Sequence, residues 1–197
     1  MTQDFAPEGV DELPGGDPAD WGPLSSLPGN PMMWILIGGE MAVFGALLVG
    51  CVIARGLAGG AFAASEAHLH PLLAGANTVI LVSSGAAVAL AVAQRRAQRR
   101  HRVALLAGVA LGIAFLAVKT VEYGQLIDQG IGIETNAFFR LYFLTTGFHA
   151  MHIVFGIVVL LIVCVYDSIE NTETGAAFWH MLDMIWMLIY PVFYLMR

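Results

Sequence analysis

Five apolar runs dominate the chain, at roughly 31–57, 71–93, 103–127, 137–166 and 175–196. Each reaches the ~20 residues that a helix needs to cross a hydrocarbon core of ~30 Å. A segment in lipid must satisfy its backbone internally, which leaves helices or a closed barrel. Barrel strands would alternate over segments of about ten residues, and these runs do not. The chain is expected to be all-α, a polytopic membrane protein built as a bundle of five transmembrane helices. Composition agrees: 58% hydrophobic residues, 12% charged and a mean hydropathy of +0.74 are not those of an ordinary soluble domain.

Residues 1–30 hold six acidic groups (Asp4, Glu8, Asp11, Glu12, Asp17, Asp20), no Lys or Arg, and scattered Pro and Gly. They read as a disordered acidic tail. They lack the basic leader and short apolar core of a signal peptide, so the first span is expected to insert directly. Cys51 and Cys164 fall inside spans and read as inert buried thiols. Five of the nine basic residues, Arg95, Arg96, Arg99, Arg100 and Arg102, crowd the connection between spans two and three. The positive-inside rule puts that connection in the cytoplasm. The tail and the Asp167–Thr174 loop then share its side. The His68/His70 loop, the Gly130–Asn136 loop and Arg197 lie outside. A short arginine run between two spans is topogenic rather than a nucleic-acid patch.

Ionisable groups inside spans are costly, about 2.5–3.5 kcal/mol each on insertion scales, and default to a functional hypothesis. The chain keeps Glu40 in span one, Lys119 and Glu122 in span three, His149 and His152 in span four, and His180 and Asp183 in span five. At about 1.5 Å per residue, Glu40, His180 and Asp183 fall in an inner layer, and Lys119, Glu122, His149 and His152 in an outer one. Each spacing of three residues sets a pair on one face. The outer pairs are therefore expected to meet as a structural polar lock, so that His152→Leu harms assembly more than a lipid-facing Leu160→Ala. A haem or metal site is disfavoured, because His180 lies in the other layer and no second span supplies a histidine at the outer depth. Glu40 reads as a hydrogen-bonded carboxylic acid, or alternatively as a contributor to proton supply.

Small residues allow close helix approach: Gly38, Gly39, Gly45 and Gly50 in span one, the run Ser83-Ser84-Gly85-Ala86-Ala87 in span two, and Gly147 and Gly156 in span four. Pro191 is expected to kink the last span. Trp34, Trp179, Tyr123 and Tyr142 read as interfacial aromatics, and Trp186 as packed between helices.

In chain order, WILIGGEMAVFG (34–45), NTVILVSSG (77–85), KTVEYGQ (119–125), FFRLYFLTTGFHAMHIVFG (138–156) and FWHMLDMIWMLIYPVFYL (178–195) resemble the corresponding segments of cytochrome c oxidase subunit III. The resemblance covers all five spans, and TGFHxxHxxxG and WHxxDxxW are its most specific parts. It implies an accessory integral-membrane subunit of a haem–copper-superfamily complex, either a terminal oxidase or a nitric oxide reductase. Such a chain has no cofactor of its own; haem and metal sit in the catalytic partner subunit. It binds phospholipid, stabilises the catalytic subunit and supports proton uptake. By motif, Glu40 resembles the family's buried carboxylate, Glu122 its EY glutamate, His149 and His152 its paired histidines, and His180 and Asp183 its WHxxD pair. Seven spans are common in the family and this chain has five, which puts the lipid cleft of the longer form in doubt. The GNPMMW entry and the small size lean toward the type associated with nitric oxide reductase. A rival from another class is a small proton channel or transporter using Glu40, His180 and Asp183 as a relay. Against it, no inverted repeat or pair of broken helices is visible.

Overall fold

The computed structural model describes residues 31–58, 60–166 and 168–196. The tail expected over residues 1–30, and Arg197, lie outside them. The described chain is all-helical: α1 (Pro31–Ala58), α2 (Gly60–Glu66), α3 (Pro71–Arg96), α4 (Arg102–Asp128), α5 (Ala137–Val165) and α6 (Ile169–Tyr194). All except the short α2 are long and apolar enough to span a membrane, and the chain is a multi-pass membrane protein.

Local signals fix the ends. Pro71 opens α3 and Arg95 and Arg96 close it, where cations favour the negative end of the helix dipole. Asn136 caps α5 by accepting from the Phe139 amide at 3.0 Å. Ser168 does the same for α6 from the Asn171 amide at 3.0 Å. That cap explains why α6 begins at Ile169 and not at Gly175. Hydropathy marks only the lipid-depth part of a helix, and the polar turns from Ile169 to Thr174 precede it. The helix also continues through Pro191 to Tyr194.

The last helix is the hub. It packs on α3, α5 and α1, while α4 bridges α3 and α5. Most of its lipid-depth surface is buried and that of α1 is mostly open. The short α2, which the sequence reading missed, is tied in at the far end of α1 by Arg55 Nη2 to Glu66 Oε1, 2.6 Å apart. Asn136 Nδ2 also donates to Ser65 Oγ at 2.9 Å.

Glycines fill a different role from the one expected along much of the chain. A side chain at Gly38, Gly39, Gly45 or Gly50 would meet nothing, and Ser83 is exposed, so these face away from the bundle. Gly147 has only an ordinary contact, its built Cβ lying 3.9 Å from Tyr123 Oη. The closest approaches, under 3.0 Å, lie at Gly85, Gly108, Gly112 and Gly156. Ser84 is buried, donating to the Gly108 carbonyl at 2.7 Å and accepting from Trp179 Nε1 at 3.1 Å. Trp179 and Tyr142 are fully buried between helices, and Leu160 is buried rather than lipid-facing.

Candidate functional site

Three polar clusters and one isolated histidine take up the seven ionisable groups singled out from the sequence, Glu40, Lys119, Glu122, His149, His152, His180 and Asp183. The first joins α4, α5 and α6. Lys119 Nζ lies 2.9 Å from Glu122 Oε2 and donates to the hydroxyls of Tyr142 and Tyr194, each at 3.1 Å. Tyr194 donates to Glu122 Oε1 at 2.6 Å, which leaves Tyr142 as the donor across the 3.0 Å contact between the two tyrosines. All three ammonium protons and both hydroxyl protons are thus used. Four rings, those of Tyr123, Tyr142, Trp186 and Tyr194, surround the ammonium at 5.0–5.8 Å from their centroids, a desolvated cation–π cage. Tyr123 is held in turn by Thr146, 2.6 Å from its hydroxyl.

The expected lock between this cluster and the two histidines does not form. Its partners are tyrosines, because a phenol offers a donor and an acceptor without a second charge to bury. His152 turns to α1 instead, with Nε2 3.2 Å from Glu40 Oε2. The depth count had separated these two, but the few Å between their layers are within the reach of two long side chains. His152 Nδ1 lies 2.9 Å from the Phe148 carbonyl, so that nitrogen carries a proton. The Nε2···carboxyl contact then needs one more, on Glu40 or on His152. The contact lies at the edge of the bundle, with about 20% of the Glu40 side chain exposed.

Among the described residues His149 has no ionisable partner. It is fully buried, stacked on Trp186 at 5.3 Å and edged by Phe44 and Phe115. Its ring nitrogens make no hydrogen bond within the described residues.

The third cluster lies between α6 and α3. His180 Nδ1 is 3.5 Å from Asp183 Oδ2. The Asp183 carboxyl lies against Gly85, where a methyl group would overlap it. His180 opens onto a groove of about 380 Å³ between α1 and α3, walled by Trp34, Ile37 and Met184 and rimmed by Arg96 and Glu173. No contact among the described residues joins Glu40 to His180 or Asp183, so the relay of the channel reading is not assembled. No three His, Cys, Asp or Glu side chains among the described residues converge in a way that would hold a metal ion.

A first prediction follows from the Glu40–His152 pair. His152→Leu is expected to lower thermal stability in detergent by about 1–3 kcal/mol, because it leaves a half-buried carboxyl without its partner. The outward-facing Leu161→Ala, which replaces the unsuitable Leu160 control, is expected to stay within about 0.5 kcal/mol. Equal losses for the two variants would count against the pair as a structural contact.

The family model described as cytochrome c oxidase subunit III matches residues 64–197. Cytochrome c oxidase subunit 3 of Bacillus sp. (strain PS3) is 24% identical over 173 residues, covering 83% of this chain and 83% of that protein. The protein of the same name from Synechocystis sp. is 29% identical over 168 residues, covering 80% of this chain and 71% of that one. A heme-copper oxidase subunit I+III from Aeropyrum pernix is 25% identical over 181 residues, covering 83% of this chain, which spans only 22% of that longer protein. With α3 to α6 inside the matched region, this chain belongs to the cytochrome c oxidase subunit III family.

Proposed function

We propose that the chain is an accessory, non-redox integral-membrane subunit of a haem–copper oxidase, packed against the catalytic subunit and stabilising it. The observation that carries this reading is the family match across residues 64–197, which takes in four of the five long helices. The Aeropyrum relative supports it, since a subunit I and a subunit III stand there in one protein. Haem and metal would sit in the partner. The named relatives are oxidase subunits, which favours oxygen over nitric oxide as the substrate of the complex. The multi-pass chain is assigned to a bacterial inner membrane, with phospholipid against its outward apolar faces. The arginine-rich connection and the N-terminus are assigned to the cytoplasm and the C-terminus to the periplasm.

The test is purification from native membranes in a mild detergent through a tag on the N-terminal tail, with mass spectrometry of co-purifying chains and a haem spectrum. A haem-bearing catalytic subunit is expected to accompany the chain, and its identity separates oxygen from nitric oxide reduction. A chain recovered alone and colourless in several detergents overturns the reading. In the assembled complex Glu40→Gln is expected to turn over like the parent across pH, within about twofold, because an amide fills the same space and its N–H can donate to His152 Nε2. Loss of one limb of the pH–rate profile would instead assign Glu40 a part in proton uptake.

A further inference from the structure

One face of α6 stays open between its neighbours. α1 and α3 both pack on α6, and between them Glu173, Ala177, His180, Met181 and Met184 follow one another at helical spacing along the groove of about 380 Å³. At about 1.5 Å per residue this stripe runs roughly 16 Å inward from Glu173, with His180 about 10 Å down. The groove is graded along that length. Its rim holds an ion pair, Arg96 Nε to Glu173 Oε1 at 2.9 Å. Below the rim stands His180, its side chain 41% exposed and its Nδ1 3.5 Å from Asp183 Oδ2. Asp183 is buried against Gly85 and orients the ring, which leaves Nε2 for an occupant of the groove. Around it the walls are apolar and polarisable, with the Trp34 indole from α1 and the thioethers of Met181 and Met184.

We propose that this groove binds the head of an isoprenoid quinone, with one ring oxygen hydrogen-bonded to His180 Nε2 and the tail leaving past Met184 into the lipid. Charge selects the class of ligand. Arg96 and His180 each already face a carboxylate, so the groove offers no uncompensated cation to an anionic headgroup. A zwitterionic phospholipid gains at the rim only by opening the Arg96–Glu173 pair. A quinone head is neutral both oxidised and reduced and leaves that pair intact. The imidazole nitrogen donates to a quinone carbonyl or accepts from a quinol hydroxyl, according to which ring nitrogen carries the proton. A flat ring also suits the walls, since indole and thioether groups make favourable contacts with aromatic rings. The volume lies at the small end of the range of about 300–1,000 Å³ for ligand sites, the scale of a substituted ring and not of two acyl chains. Every group in the site belongs to this chain, so binding does not depend on the proposed catalytic partner.

The experiment titrates decylubiquinone into the full chain in phosphatidylcholine nanodiscs and reads the quenching of tryptophan fluorescence. A saturable component is expected that Trp34→Phe removes. His180→Leu is expected to weaken the apparent Kd at least about fivefold, the scale of one lost hydrogen bond, and His180→Gln less, since its amide still donates. Ala177→Phe, which fills the groove between rim and histidine, is expected to weaken it at least about tenfold. Both positions line an open groove, so the bundle is expected to survive the changes, as far-ultraviolet circular dichroism checks. Quenching that rises in proportion to quinone without saturating overturns the proposal, as does a saturable component indifferent to both His180→Leu and Ala177→Phe. Replacing half the lipid with phosphatidylethanolamine is expected to shift the apparent Kd by less than about twofold. A larger weakening overturns the proposal and assigns the groove to that phospholipid.

Discussion

Lys119→Met is expected to destabilise the bundle by about 3–5 kcal/mol, the range for removing one member of a buried ion pair. The size follows from what stays behind. Lys119 and Glu122 are each 2% exposed, and without the ammonium the Glu122 carboxylate keeps only the Tyr194 hydroxyl, at 2.6 Å, as donor. Tyr142 and Tyr194 lose a donor apiece and four aromatic faces lose their cation. Replacing both charges, as Lys119→Met with Glu122→Leu, is expected to recover most of the loss, because apolar side chains of similar volume often match a buried pair in stability. The two tyrosines can still bond to each other. Detergent-to-dodecyl-sulfate titration, monitored by tryptophan fluorescence, measures all three proteins. A single variant within about 1 kcal/mol of the parent, or a double variant no better than the single, would show that the cluster is not a structural lock.

The same cluster shows what could be read from the chain and what could not. Lipid allows so few backbone solutions that five runs of sufficient length dictated five helices. Their bounds needed only small revision, the start of α6 apart, where Ser168 caps the helix ahead of its apolar part. Side-chain partners were less legible. The ionisable residues stood out in the sequence, but the groups that satisfy them include neutral ones, Tyr142 and Tyr194, which hydropathy does not separate from interfacial aromatics. Depth counted along each helix assumes that all ends lie in one plane. It also leaves out the reach of the side chains, which brings Glu40 and His152 to 3.2 Å from separate layers. Glycine was ambiguous for a related reason. A span tolerates it on either face, and only the helix opposite decides whether the space is used. Gly39 has nothing opposite, whereas Gly112 and Gly156 face one tryptophan ring.

That ring carries the second large effect. Trp179 of α6 is wholly buried. A Cβ built at Gly112 on α4 would lie 2.7 Å from its Cη2, and one at Gly156 on α5 would lie 3.0 Å from its Cε3 and Cζ3. Its indole N–H reaches Ser84 on α3 at 3.1 Å, so one side chain touches three helices from a fourth. Trp179→Ala is expected to lower stability by about 3–5 kcal/mol, the transfer and dispersion loss plus a cavity that rigid neighbours cannot close. Trp179→Phe keeps much of the volume but gives up the hydrogen bond. It is expected to lose only about 1–2 kcal/mol, since the Ser84 hydroxyl still donates to the Gly108 carbonyl. From the other side of the contact, Gly156→Val places branched carbon where the ring and Leu182 already sit, an overpacking that commonly costs about 1–3 kcal/mol. If the ring is a wedge, Gly156→Val combined with Trp179→Ala should be less damaging than the sum of its parts, because the added carbon enters the space the indole vacates. Strict additivity in a double-mutant cycle would show that the two positions act independently and that the notch is not what seats α6.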